Sequence, residues 1–199
     1  MISWDERYAE AGFAYGTEAN AFLVEHGNKI TKSGKVLCLA EGEGRNAVWL
    51  AQQGYKVTGV DSSSIGMAKA QALASERNVD IETLCTDLEN YHVEESCWDS
   101  IVSIFCHLPA LVRTRLHKEV VVGLKPGGLL ILEAYRPKQL EYGTGGPPAA
   151  ELMMQLETVK QELDGLEWLH AAELDREIVE GKYHTGIGAV VQLVGRKPV

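Results

Sequence analysis

The sequence predicts an α/β protein in three layers: a mostly parallel, seven-stranded sheet, covered by helices on both faces, with an antiparallel strand at its C-terminal end. Two observations predict it. From Lys35 to Tyr135, short apolar runs alternate with helix-like segments. After Tyr135, two long strand-like runs follow each other with no helix between them. The chain has 199 residues, 45% hydrophobic and 24% charged. That is ordinary globular composition, at a length suited to one domain with a sizeable core. The expectation is a single domain over 1–199, with 1–30 as an N-terminal helical or lid segment.

Each element has its own signature. Lys35-Val36-Leu37-Cys38-Leu39-Ala40 is an apolar run that suits a strand buried on both faces. A glycine loop, Glu41-Gly42-Glu43-Gly44, leads to a helix over Arg45–Gln53 that Gly54 stops. Lys56–Asp61 reads as the second strand. Ser62–Arg77, rich in Ala, Met, Lys and Gln, reads as a helix, with three serines as N-caps. Asp80–Thr86 is a weaker strand and Trp98–Cys106 a stronger one. Pro109 stands where a helix begins, and Leu116, Val120 and Leu124 give it an apolar stripe. Lys125-Pro126-Gly127-Gly128 breaks that helix before a strand over Leu129–Tyr135. Ala149–Leu163 looks helical. Trp168–Val179 and Gly186–Arg196 read as an antiparallel pair joined by a hairpin.

Charge and cysteine usage narrow the function. A formal charge of −9 disfavours nucleic acid and anionic membranes as partners. No stretch approaches the roughly 20 apolar residues of a membrane helix, and MISWDERYAE lacks the features of a secretory signal. Cys38, Cys85, Cys97 and Cys106 are widely spaced, which fits reduced thiols in a cytoplasmic protein better than a disulfide set or a metal site.

Ligands of open parallel sheets bind beyond the carboxyl ends of the strands, and three such ends carry informative residues. Gly42 and Gly44 permit a tight turn and a close ligand, before a helix whose free N–H groups suit an anion. Asp61 can accept two hydrogen bonds from ribose hydroxyls, or cap the next helix. Asp87 can accept from an exocyclic amino group. Together these fit a nucleoside.

KVLCLAEGEGRNAVWLAQQGYKVTGVDSS, then CTD, WDSIVSIFCHLP and GLKPGGLLILEAY, together resemble a class I S-adenosylmethionine-dependent methyltransferase with a Rossmann-like fold. The resemblance is greatest to the small tellurite-resistance-like methyltransferases. It implies S-adenosyl-L-methionine as cofactor and a small-molecule acceptor, with a thiol or a metalloid oxyanion as the soft nucleophile. Ala40, Glu41, Gly42, Gly44 and Asn46 would line the methionine and ribose portions. Asp61 would hold the ribose hydroxyls, with Ser62 beside the adenosine, and Asp87 and Leu88 would meet the adenine. Phe105, Cys106 and His107 would form the wall next to the reactive methyl.

The sequence departs from the family in the first loop. Cys38 and Ala40 stand where an acidic residue and a glycine are usual, with Glu41 and Glu43 as the two candidates to replace the carboxylate. His107 is the candidate general base, with a helix cap or a substrate donor as its alternatives. The other five histidines carry no pattern. Trp4, Tyr8, Phe13, Tyr15 and Phe22 form an aromatic-rich lid or a packed helix, with Tyr15 as the preferred lid contact. Arg136 is the candidate to attract an anionic acceptor, or to pair with a surface acid. Two other readings remain open. One is a nicotinamide-dependent oxidoreductase, weakened because Ala47 occupies the third glycine position of the fingerprint. The other is a fold that binds the cofactor without turnover.

Overall fold

The computed structural model describes residues 3–199. Two short helices, α1 (Trp4–Tyr8) and α2 (Ala21–Gly27), precede the first strand. The chain then alternates through β1 (Lys35–Leu39), α3 (Arg45–Gln52), β2 (Lys56–Asp61), α4 (Ser64–Glu76) and β3 (Glu82–Cys85). It continues through β4 (Trp98–Ile104), α5 (Ala110–Gly123), β5 (Leu124–Tyr135) and α6 (Leu156–Glu162), and ends in β6 (Glu167–Glu180) and β7 (His184–Arg196).

The sheet order is β3-β2-β1-β4-β5-β7-β6. The pairs from β3 through β5 are parallel, while β7 runs antiparallel to both β5 and β6. This is the predicted seven-stranded mixed sheet. Alternate residues of β1 serve opposite faces, as a strand's two-residue period requires. Leu37 and Leu39 join a cluster with Leu116, Val120, Val159 and Leu163 of α5 and α6. Val36 and Cys38 join a second cluster with Leu23, Leu50, Met67 and Leu73 of α2, α3 and α4. Helices therefore cover both faces.

Two segments differ from the sequence expectation. Ala149–Leu163 is not one helix: a short 3-10 turn at Ala150–Leu152 precedes α6. Between them the Met154 amide donates to the Tyr135 carbonyl at 2.9 Å, and Met153 and Met154 are buried. That tie to the end of β5 draws the chain out of helical geometry. The Lys125–Gly128 stretch, in turn, lies within β5, because Leu124 already pairs with Trp98 ahead of a register shift. None of the described helices is long and apolar enough to cross a membrane.

Candidate active site

Three strand-end loops are stitched together by one residue. Asp61 accepts from the Gly42 amide at 2.9 Å and from the Ser63 amide at 2.8 Å. Its own carbonyl accepts from the Thr86 amide at 2.9 Å. The loops after β1, β2 and β3 thus converge, and burial raises the Asp61 carboxyl above its usual range. Ser63 accepts from the Gly66 amide at 3.0 Å and caps α4. At Gly44, φ is +92°, and a Cβ would stand 2.6 Å from that of Ala70. Glycine alone allows this turn and the close packing of α3 on α4. Ala40 also adopts a positive φ, of +51°.

Between the two candidates for the missing carboxylate, the geometry separates the roles. Glu41 accepts from the Asn46 and Ala47 amides at 3.0 and 2.8 Å. It thereby satisfies free N–H groups at the start of α3. Burial pushes its carboxyl up to about 7, and burial together with the nearby Glu41 pushes up the fully buried Cys38 thiol. A carboxylate rooted one turn later in the chain thus reaches the space beside Cys38. Glu43 points elsewhere. It accepts from the Ala14 amide at 2.7 Å and pairs with Lys69 at 2.9 Å, which anchors the N-terminal segment.

These loops form one wall of a cavity of about 920 Å³, near the upper end of the roughly 300–1,000 Å³ usual for small-molecule sites. Ala40, Glu41, Asn46, Asp61, Ser62, Asp87 and Leu88 line this cradle. Trp4, Tyr8, Tyr15 and Gly16 roof it. The same cavity extends past the cradle to a part bounded by Phe105, His107, residues 143–148 and Lys182–Thr185, called the chamber below. The roof is clasped to the β6–β7 turn: the Lys182 amide donates to the Ala14 carbonyl at 2.9 Å, and the Arg7 guanidinium lies 4.5 Å from the centre of the Tyr183 ring.

Not every predicted site residue reaches this cavity. Gly42 meets Asp61 and Tyr8, Gly44 packs on Ala70, and Cys106 is buried in the apolar core. Arg136 is directed away: it pairs with Asp175 at 2.5 Å on the outer side of β6. The short ion pair consumes the charge that the sequence reading offered to an acceptor. His107 lines the cavity, yet its Nδ1 donates to the Leu152 carbonyl at 3.1 Å, and its Nε2 accepts from the Tyr135 amide at 3.3 Å. Burial pushes its pKa down to about 4. Both nitrogens are engaged with backbone, so the ring ties β5 to the 150–152 turn and has no free lone pair for a general base.

Sequence reasoning missed two features. His184 lines the cavity with rings on three sides: Tyr15 at 4.5 Å, Phe105 at 4.7 Å and Tyr135 at 5.2 Å between centroids. A buried polar network also backs the site. Glu133, fully buried, accepts from Arg176 at 2.7 and 2.8 Å, Asn20 at 2.6 Å and Gln192 at 2.8 Å. Asn20 and Arg45 then reach Glu180 at 2.9 and 2.6 Å. Alternation along β6 could have indicated the inward Arg176; nothing local marks His184.

Residues 36–128 match a family model described as a methyltransferase domain. This stretch of the chain is similar to a methyltransferase domain. The probable S-adenosyl-L-methionine-dependent methyltransferase TehB of Haemophilus influenzae is 34% identical over 89 residues, 45% of this chain. The match spans only 31% of that relative's length. The structure of Haemophilus influenzae TehB superposes with a TM-score of 0.75 at 21% identity, covering 90% of this chain and 62% of that one. A protein that converts a disulfide bond into a thioacetal group during echinomycin biosynthesis gives a TM-score of 0.75 at 15% identity, over 98% of this chain and 88% of that one. The [4+2]-cyclase SpnF gives 0.69 at 18% identity, over 94% and 88%. These likenesses concern the fold, and a cyclase among them illustrates that this fold alone does not fix the reaction. The name of the Haemophilus influenzae relative gives S-adenosyl-L-methionine as its cofactor, and the cradle's chemistry tests whether the residues here fit it. A buried carboxylate, Asp61, and the acidic Asp87 face a cavity with room for a nucleoside, and these residues fit that cofactor.

Proposed function

We propose that this protein transfers a methyl group from S-adenosyl-L-methionine to a small-molecule acceptor whose nucleophile is soft, such as a thiol or a metalloid oxyanion. One observation carries the reading: the ends of β1, β2 and β3 meet at Asp61 in the wall of a single cavity. Asp61 holds the ribose hydroxyls, Ser62 lies beside the adenosine, and Asp87 and Leu88 meet the adenine. The α3 start near Arg45 and Asn46 faces the amino-acid portion.

When bound, the cofactor supplies an electrophilic methyl on a positive sulfur. The chain's task is to align the acceptor and exclude water, and alignment is worth roughly 7–11 kcal/mol of a barrier. The roof of Trp4, Tyr8 and Tyr15 serves exclusion. With His107 engaged at both nitrogens, no residue of the chamber wall is placed as a strong base. The acceptor must therefore arrive ionised, which favours soft anions over alcohols and protonated amines.

Isothermal titration with S-adenosyl-L-methionine, and separately with NAD, tests the cofactor. Saturable binding of the former alone is expected; binding of NAD alone would favour a nicotinamide-dependent oxidoreductase. Methylation assays over thiols, tellurite, selenite and phenols then separate catalysis from binding without turnover.

A further inference from the structure

We propose that the chamber beyond the cradle is an acceptor subsite for a small aromatic thiolate, with His184 as its polar anchor. The inference rests on the methyl-transfer reading and narrows its substrate. Tyr15, Phe105 and His184 line the chamber, and Tyr135 stands behind them with its ring edge-on to His184 at 5.2 Å. Such walls favour a flat π system, which stacks on or meets ring edges at these spacings. At Gly145, φ is +132°, and a Cβ would stand 2.9 Å from His184 Cδ2 and 3.2 Å from the Tyr135 hydroxyl. The bare glycine keeps that wall thin where the two side chains meet.

Neither nitrogen of His184 has a hydrogen-bond partner among the described residues, and of the two only Nδ1 is fully enclosed. The Tyr135 hydroxyl is likewise enclosed without a partner. Nε2, the nitrogen that is not enclosed, is the one a ligand in the cavity can reach, and a neutral imidazole can donate a hydrogen bond from it. Charge selects the ligand's sign. Burial, with Arg45, Arg7 and Arg176 nearby, pushes His184 down to about 3 and keeps it neutral. The acids of the cavity lie on the cradle side, where Glu41, Glu43 and Asp61 are each held by backbone amides. Arg45 and Arg176 are already paired with Glu180 and Glu133, whereas Arg7, which lines the cavity, has no carboxylate within salt-bridge distance among the described residues and favours an anion there over a cationic amine.

The missing base sets the last requirement. An alkyl thiol with a pKa near ~8.5 is mostly protonated at neutral pH, whereas an aromatic ring delocalises the thiolate charge and ionises it earlier. A bare inorganic oxyanion would accept from His184 but leave the ring walls unused. The thiolate sulfur forms its bond to the methyl carbon as that carbon's bond to the sulfonium breaks. The bonding pair stays on the departing thioether, and no proton moves.

The test uses 4-nitrobenzenethiol, 2-mercaptoethanol and sodium selenite as acceptors with the full chain and its His184→Phe and His184→Gln variants. The parent should methylate the aromatic thiol with kcat/KM at least ~10-fold above the alkyl thiol after correction for thiolate fraction. His184→Phe keeps a ring but no anchor, and should raise the aromatic thiol's KM roughly tenfold while S-adenosyl-L-methionine Kd stays within about twofold. His184→Gln, which keeps a polar group, should recover part of that loss. Calorimetric binding of 4-nitrobenzenethiol to protein saturated with S-adenosylhomocysteine should weaken in parallel, independently of turnover. Normal cofactor binding with no aromatic preference, or with an unchanged KM in both variants, overturns the subsite and leaves the methyltransferase reading intact. Absence of cofactor binding in the parent overturns both.

Discussion

On the cradle side of the cavity the acidic side chains are tied to their neighbours; on the chamber side two polar groups have no partner at all. Asp61 and Glu41 accept from backbone amides at 2.8–3.0 Å, while the Tyr135 hydroxyl and His184 Nδ1 accept from nothing and donate to nothing among the described residues. The cradle is built from loops adjoining consecutive strands, so its bonds are local to one sheet end. The chamber is assembled from residues far apart in sequence, as in the tie between Tyr183 and Glu10, 173 positions away. Satisfied groups give a rigid, preformed surface for an invariant part of the reaction, and unsatisfied ones leave room for a variable partner.

The largest test of that contrast strikes what joins the two regions. Glu133→Ala removes the hub that Arg176, Asn20 and Gln192 share, leaves the Asn20 and Gln192 amides short of an acceptor, and leaves Arg176 with Glu180 at 3.4 Å as its remaining carboxylate. It should cost about 3–5 kcal/mol in urea unfolding; a loss under 1 kcal/mol would mean the regions are held by apolar packing alone.

Acid should be felt next. His107 and His184, pushed down to about 4 and about 3 by burial, are neutral when folded, whereas the unfolded chain binds protons below its ordinary histidine value near ~6.5. Their contribution is therefore present above that value and lost as pH falls toward 4, on the order of 3 kcal/mol for His107. Glu41, pushed up to about 7, works in the opposite sense: its folded state keeps a proton that the unfolded chain releases, so stability drains as pH rises from 4.5 to 7. Unfolding curves at several pH values should steepen below pH 6.5 in a Glu41→Gln variant, because the opposing group is gone; an unchanged profile would sink the assignment.

Asp61→Ala sharpens the cradle itself. It should weaken S-adenosyl-L-methionine by about 2 kcal/mol, roughly 30-fold in Kd by calorimetry. Smallest of all, Arg136→Ala should leave methyl transfer unchanged and cost less than ~1 kcal/mol, because its pair with Asp175 lies at the surface.

What could be read in advance follows the same division. The strand-and-helix alternation from Lys35 to Tyr135 is a property of local spacing, and the structure reproduces it; of the three serines offered as caps, Ser63 is the one that accepts from the α4 start, and Asp61 meets the Gly42 amide. The exchange between Cys38 and Glu41 was half visible: two glutamates were candidates, and only the three-dimensional position of the α3 start distinguishes the one that faces it. His184 was invisible because its surroundings come from four separate segments. His107 was seen but misjudged, since its engagement depends on Leu152 and Tyr135, neither of which its own neighbourhood in sequence announces.

The clasp between residues 7–15 and the β6–β7 turn has a consequence for biogenesis. A growing chain can bring the ends of β1, β2 and β4 together early, but Tyr183 and Lys182 reach Arg7, Glu10 and Ala14 only after β6 has been made. Until then the early aromatic segment is without its counterpart, so the roof of the cavity is completed by one of the longest-range contacts of the fold.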